Sequence, residues 1–89
     1  MRAARLPPPE LNVRVQGYEV DFFWRDHGLI FEVDGYAYHS SPAAFERDRR
    51  RDADLHDADF RVRRVTWKQL TEEPDAVAAR LRRALGAGG

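Results

Sequence analysis

The chain has no cysteine, so neither a disulfide framework nor a thiolate zinc site is available to its 89 residues. It has no net charge, 15 basic side chains balancing 15 acidic ones, which by itself argues against a strongly basic nucleic-acid binder. No apolar run approaches the roughly 20 residues that cross a bilayer, and the N-terminus lacks the apolar segment of a signal peptide. A soluble, cytoplasmic protein with no membrane partner is therefore expected. Lysine is nearly absent: 14 of the 15 basic residues are arginine, whose planar fork suits phosphate, although GC-rich coding produces the same bias. The charge is also uneven. Residues 1–42 carry four arginines against six acids, and residues 43–89 carry eleven basic residues against nine acids. The length suits one small domain with a modest core.

What the chain does have is concentrated between Glu19 and His39, EVDFFWRDHGLIFEVDGYAYH. Two apolar runs, Val20 to Trp24 and Leu29 to Val33, are rich in β-branched and aromatic residues and flank the loop Arg25-Asp26-His27-Gly28. They read as an antiparallel hairpin. Four carboxylates, Glu19, Asp21, Glu32 and Asp34, interrupt these otherwise apolar strands. If Trp24 pairs with Leu29, Asp21 falls opposite Glu32 and Glu19 opposite Asp34, and like charges so placed destabilise a sheet. A hard divalent cation held by oxygen ligands is the simplest neutraliser. The other explanation is a solvated acidic face paired with nearby arginines, although apolar residues occupy both faces of each strand.

In chain order, residues 1–10 carry three consecutive prolines at 7–9 and read as an extended N-terminal arm. Leu11 to Gln16 alternates as a half-buried strand and turns at Gly17-Tyr18 into the next. Ser41 is a helix cap with Pro42 in the first turn, opening a highly charged helix over Ala43 to Ala58. Its charges neutralise one another at helical spacing, as Asp48 does with Arg51. Arg61 to Trp67 alternates as a strand that joins the sheet by a crossover and pairs in parallel. A last helix, Pro74 to Leu85, carries the apolar stripe Val77, Ala78, Leu81, Ala84 and Leu85, and residues 86–89 form a flexible tail. The order is β-β-β-α-β-α, an α/β domain over 11–85 with helices flanking a mixed sheet. Trp24 and Trp67 read as core. His27 and His56 read as surface.

The run Val20-Asp21-Phe22, then, with ten residues between Asp21 and Glu32, the string Glu32-Val33-Asp34-Gly35, with His39 five beyond Asp34, resembles the very short patch repair (Vsr)-like endonucleases. These belong to the PD-(D/E)XK nuclease superfamily. Asp48-Arg49, Arg51-Asp52 and the string Arg61 to Trp67 match an uncharacterised bacterial branch of it, so the likeness spans about Leu6 to Leu85. It implies a restriction-endonuclease-like core, DNA as partner and Mg²⁺ or Mn²⁺ as cofactor. Asp21 would bind the metal, Glu32 would be the glutamate of the E-x-K signature, and Val33 would offer a backbone carbonyl. Asp34 would stand where the signature has lysine, and His39 would act as general base or touch phosphate. The family's cysteine-containing zinc site is impossible here, and its initial helix has no counterpart.

Phosphodiester hydrolysis needs charge neutralisation at a non-bridging oxygen and an attacking water of lowered pKa, which a cation between Asp21 and Glu32 or Asp34 supplies. His39, with an ordinary pKa near neutrality, is suited to take the water's proton. Arg47, Arg49, Arg50 and Arg51 start close behind His39 and, with Tyr36 and Tyr38, are candidate nucleic-acid contacts. The expected function is a Mg²⁺-dependent DNA endonuclease; the alternative is a catalytically silent nucleic-acid-binding or regulatory remnant. With only two helices to cover the sheet, strands bearing Phe22, Phe23, Trp24, Ile30 and Phe31 are expected to leave an apolar patch, met by a homodimer or by an N-terminal domain.

Overall fold

The computed structural model describes residues 6–35 and 41–87. Strands β1 (Glu10–Val15), β2 (Tyr18–Trp24) and β3 (Leu29–Asp34) precede helix α1 (Pro42–Asp57), strand β4 (Arg61–Thr66) and helices α2 (Trp67–Glu72) and α3 (Pro74–Ala87). The sheet order is β1-β2-β3-β4, with β1 and β2 antiparallel, β2 and β3 antiparallel, and β3 and β4 parallel. This is the expected mixed α/β sheet, with one short helix more than the sequence suggested.

Local chemistry explains each junction. Gln16 (φ 54°) and Gly17 (φ 84°) are both left-handed, and Val15 pairs with Tyr18 across them. That is the two-residue turn whose twist matches a right-handed hairpin. Between β2 and β3 a single turn of 3-10 helix, Arg25–His27, closes on Gly28 at φ 60°. The resulting register, Trp24↔Leu29, Phe23↔Ile30 and Phe22↔Phe31, is the one the four-residue loop predicts. Ser41 caps α1 by accepting from the Ala44 N–H at 3.1 Å, with Pro42 in the first turn. Strand β4 ends one residue earlier than its alternation suggests. Thr66 and Gln69 form a reciprocal capping box, 3.0 Å in each direction, and Trp67 opens α2 instead of closing a strand. The Thr-x-x-Gln spacing was readable, but the alternation of β4 masked it.

The helices sandwich the sheet between two apolar clusters. On one side Trp24, Leu29, Phe31 and Val65 meet Val77, Leu81, Ala84 and Leu85 of α3. On the other, Val15, Val20, Phe23 and Ile30 meet Leu55, the one buried residue that α1 contributes. Ring contacts join the strands laterally, Phe22 to Phe31 at 6.0 Å and Trp24 to Phe31 at 6.5 Å, while Phe23 meets Phe60 at 5.7 Å. The N-terminal arm is tied down where it crosses β2, since Trp24 Nε1 donates to the Pro7 carbonyl at 2.7 Å and Leu6 packs on the α3-side cluster.

Two expectations change. Phe23, Trp24, Ile30 and Phe31 are buried and Phe22 is half-buried, so most of the expected apolar patch is covered, with Leu70 of α2 and Leu6 of the arm packed on its α3 side. Among the described residues the exposed large apolar ones are Leu11, Phe45 and Trp67, the last against its expected place in the core. His27, read as a surface residue, is half-buried, and its Nδ1 is enclosed without a hydrogen-bond partner among the described residues.

Candidate active site

The site is built where β1 and β2 twist together. Residues two apart on a strand share a face. Val20 nevertheless packs in the α1-side cluster, while Phe22 packs against the α3-side cluster. The strand therefore changes face at Asp21. Its neighbour β1 does the same, with Val13 on the α1 side and Leu11 beside Phe22, and the residue between them, Asn12, is left-handed at φ 49°. Pairs Leu11↔Phe22 and Val13↔Val20 bracket this step. Asparagine tolerates that conformation better than most side chains.

The twist points the Asp21 carboxylate at β3, where Oδ2 accepts the Val33 N–H at 3.0 Å. Asp21 is half-buried and lines a depression of about 370 Å³ with Leu11, Asn12, Phe22, Val33, Trp67 and Leu70. Asp34, the next residue after Val33, ends β3 opposite Thr66. The Asp34 side chain, two residues from Glu32, lies on the Glu32 face of the strand, 3.9 Å from Arg64.

Glu32 is buried on the α1 side, and both its oxygens are taken: Oε2 accepts from Arg51 of α1, Oε1 from Arg64 of β4 at 3.3 Å. Arg64 also donates to Asp52 at 3.2 Å and stands 3.9 Å from Asp34 through Nε. Burial alone would lower the Arg51 pKa, but the hydrogen bond and charge of Glu32 outweigh it and hold the guanidinium above its ordinary value. Arg51 further lies 5.9 Å from the centre of the Tyr18 ring, and the Tyr18 hydroxyl donates to Asp54 at 2.5 Å. A buried carboxylate flanked by two guanidiniums is the neutralisation that the strand pattern demanded, met here by arginine.

A family model described as REase_MTES_1575, restriction endonuclease-like, matches residues 8–85. The chain belongs to that family. Two uncharacterized Mycobacterium tuberculosis proteins, from strains CDC 1551 and ATCC 25618, are each 33% identical to it over 85 residues. The match covers 90% of this chain and 31% of each relative, so the chain spans about a third of the length of the curated proteins it matches. Among solved structures, the homing endonuclease I-Bth0305I catalytic domain superposes with a TM-score of 0.75 at 22% identity, over 90% of this chain and 80% of that one. At that identity the likeness is one of fold.

Within this REase_MTES_1575 domain, the residues singled out from sequence divide into three groups. Asp21 meets the Val33 backbone at the β2–β3 step, while Glu32 and Asp34 share the other face of β3 and meet the arginine network through Arg51 and Arg64. On α1, Arg47, Arg49 and Arg50 are exposed, with Arg49 stacked 5.1 Å from the Phe45 ring centre, while Arg51 is engaged by Glu32. His39, Tyr36 and Tyr38 lie outside the described residues. Sequence reasoning passed over Asn12 and Arg64, and it read as core Trp67, which is exposed and lines the Asp21 depression. Asn12 carried a weak signal as a lone polar side chain that tolerates left-handed backbone. Arg64 carried none, because only the parallel register sets it beside Glu32.

Among the described residues no group of three or more histidine or acidic side chains is gathered around one point. Magnesium commonly takes only one or two protein carboxylates and leaves its other positions to water and phosphate. Asp21 has one carboxylate oxygen outside any hydrogen bond among the described residues, and Asp34 has both. Each of these two has oxygen to offer a hard cation; Glu32, bound on both oxygens, does not.

Proposed function

We propose that this domain is a Mg²⁺- or Mn²⁺-dependent nuclease that hydrolyses DNA phosphodiesters. The observation that carries the reading is the Asp21 carboxylate, turned out of its strand against the Val33 N–H, within a restriction-endonuclease-like fold. A cation at Asp21 and Asp34 would neutralise a non-bridging phosphate oxygen and lower the pKa of the attacking water. Asp21 is pre-aimed, since its bond to the β3 backbone fixes the side chain before substrate arrives. Asp34 fills the position where the related signature has lysine, so the site's fixed positive charge comes from Arg64, 3.9 Å from Asp34. His39 is the proposed proton acceptor from the attacking water, five residues beyond Asp34. The finer likeness to very short patch repair endonucleases rests on the strings around Asp21 and Glu32-Val33-Asp34-Gly35.

A second reading has its own observation. Glu32, the signature glutamate, is held by two arginines, as it would be in a domain that binds nucleic acid without cutting it. Nicking of supercoiled plasmid with Mg²⁺ or Mn²⁺ separates the two. A nuclease cuts, EDTA abolishes cutting, Asp21→Asn abolishes it with the fold intact, and His39→Ala costs about 10²–10⁴-fold. Protein that retards DNA but never nicks it supports the silent module, and nicking that survives Asp21→Asn refutes the assignment of Asp21.

A further inference from the structure

The free edge of β4 carries a concavity that the proposed chemistry does not use. It holds about 270 Å³ between the start of β4 and the end of α3, and is lined by Arg61, Arg63, Arg80, Arg83 and Ala84. Four of its five lining residues are arginine, and none is acidic. Among the described residues the ion pairs engage Arg25, Arg51 and Arg64, and none of these four. Arg61 is locked by neutral partners: Nη1 donates to the Ala84 carbonyl at 2.8 Å and Nη2 to the His27 carbonyl at 3.1 Å. Its charge is therefore fixed in place without being cancelled. Arg63, Arg80 and Arg83 are exposed around it. In a chain of zero net charge, four uncompensated guanidiniums in one notch repel one another. An anion that accepts several N–H bonds at once relieves that repulsion, and phosphate matches the guanidinium fork. The larger depression that shares Arg61 and Arg63 with the notch differs, because it also contains Asp52 and the already paired Arg64.

We propose that this notch binds a backbone phosphate of duplex DNA, away from the bond being cut; the choice of DNA rests on the nuclease reading above. Arg61 and Thr66 are the two ends of β4, and Asp34 is the partner of Thr66. Five steps of about 3.3 Å set the notch roughly 17 Å along the strand from Asp34. Phosphates on one strand of a duplex advance about 3.4 Å along its axis, so the notch would hold the backbone about five nucleotides from the phosphate at Asp21 and Asp34. The acidic end and the basic end of the same sheet then address one duplex at two points.

The test measures binding of a labelled duplex by fluorescence anisotropy in EDTA, where cutting plays no part, across a series of salt concentrations. For the intact chain the phosphate held in the notch should contribute about −0.9 to the slope of log K against log salt. The double variant R80E/R83E should bind at least tenfold more weakly and lose about one from that slope. Arg82→Glu reverses one charge on α3 outside the notch, half the change of the double variant, and should stay within about twofold; circular dichroism melts check that both variants fold. Extending a short duplex by about five base pairs should tighten binding for the intact chain and not for R80E/R83E. Equal slopes for the intact chain and R80E/R83E, equal losses from Arg82→Glu, or polyglutamate competing as well as DNA would each overturn the proposal. Failed nicking with a notch-dependent slope removes the nuclease reading and leaves the notch, while nicking without such a slope removes the notch alone.

Discussion

Replacing Glu32 by glutamine should unfold this domain far more readily than any change at Asp21. The Glu32 side chain is 11% exposed and that of Arg51 15%, so the pair sits largely out of water. Both Glu32 oxygens accept from guanidinium N–H groups. Glutamine keeps the volume but offers only one acceptor; its NH₂ would point a donor at a donor. Arg51 would then be left partly buried and charged without its counter-ion. Breaking a buried pair from one side costs about 3–5 kcal/mol, and the residual exposure of Arg51 places this case near about 3 kcal/mol. Total stability for a domain of this length is about 4–13 kcal/mol, so the loss is a large share of it. At about 4–8 °C per kcal/mol, Tm should fall by about 12–24 °C.

Thermal melts and urea titrations at neutral pH read the loss directly. The gap should persist at about 1 M salt, where a Debye length of about 3 Å would erase an exposed pair but not this one. Asp21→Asn is the comparison. Asparagine retains a carbonyl oxygen for the Val33 N–H, so stability should change by less than about 1 kcal/mol even as nicking disappears. A Glu32→Gln melt within about 2 °C of the parent would show that the carboxylate is solvated, and the account of α1 being held to the sheet by charge would fail.

Leu55→Ala should cost about 2–5 kcal/mol, because Leu55 is fully buried and is the one core residue of α1; a loss under about 1 kcal/mol in urea denaturation would show that the helix is held by its ion pairs instead. Asn12→Gly should leave stability nearly unchanged, whereas Asn12→Val, forced to φ 49°, should cost about 1–3 kcal/mol and reduce nicking by disturbing Asp21 across the strand. The Tyr18 pKa is raised, chiefly because its hydroxyl donates to Asp54, so the stability it contributes is complete below the ordinary tyrosine pKa of about 10 and is lost as pH rises through the higher folded value. Tyr18→Phe should therefore melt lower than the parent at neutral pH, with the gap closing in strong alkali; a gap independent of pH would show that the hydroxyl plays no part.

Period and turn chemistry determined the element order of this chain. Alternation from Leu11 to Gln16, the Gly17 turn, the four-residue loop before Leu29, Ser41-Pro42 and the stripe from Val77 to Leu85 are all local signals, each set by residues within one or two turns of each other. The same local logic marked Asp21 and Asp34 as carboxylates in strands that should not tolerate them. It also erred locally, where the alternation of β4 hid the capping box at Thr66.

The partners of those carboxylates were decided only in three dimensions. Perfect alternation sets Asp21 opposite Glu32, but the paired twist at Asn12 and Asp21 turns one carboxylate into the gap between strands and leaves the other on the α1 side. A twist of this kind has no one-dimensional signature, because it depends on which helix covers which face. Arg51 and Arg64 are 19 and 32 residues from Glu32, and reach it only through the α1 crossover and the parallel register of β4. The arginine notch arises the same way, since β4 and α3 each carry two of its charges and only their packing brings the four together. Local energies choose strands and helices one at a time, whereas charge neutralisation acts through space, and space is what the fold alone assigns.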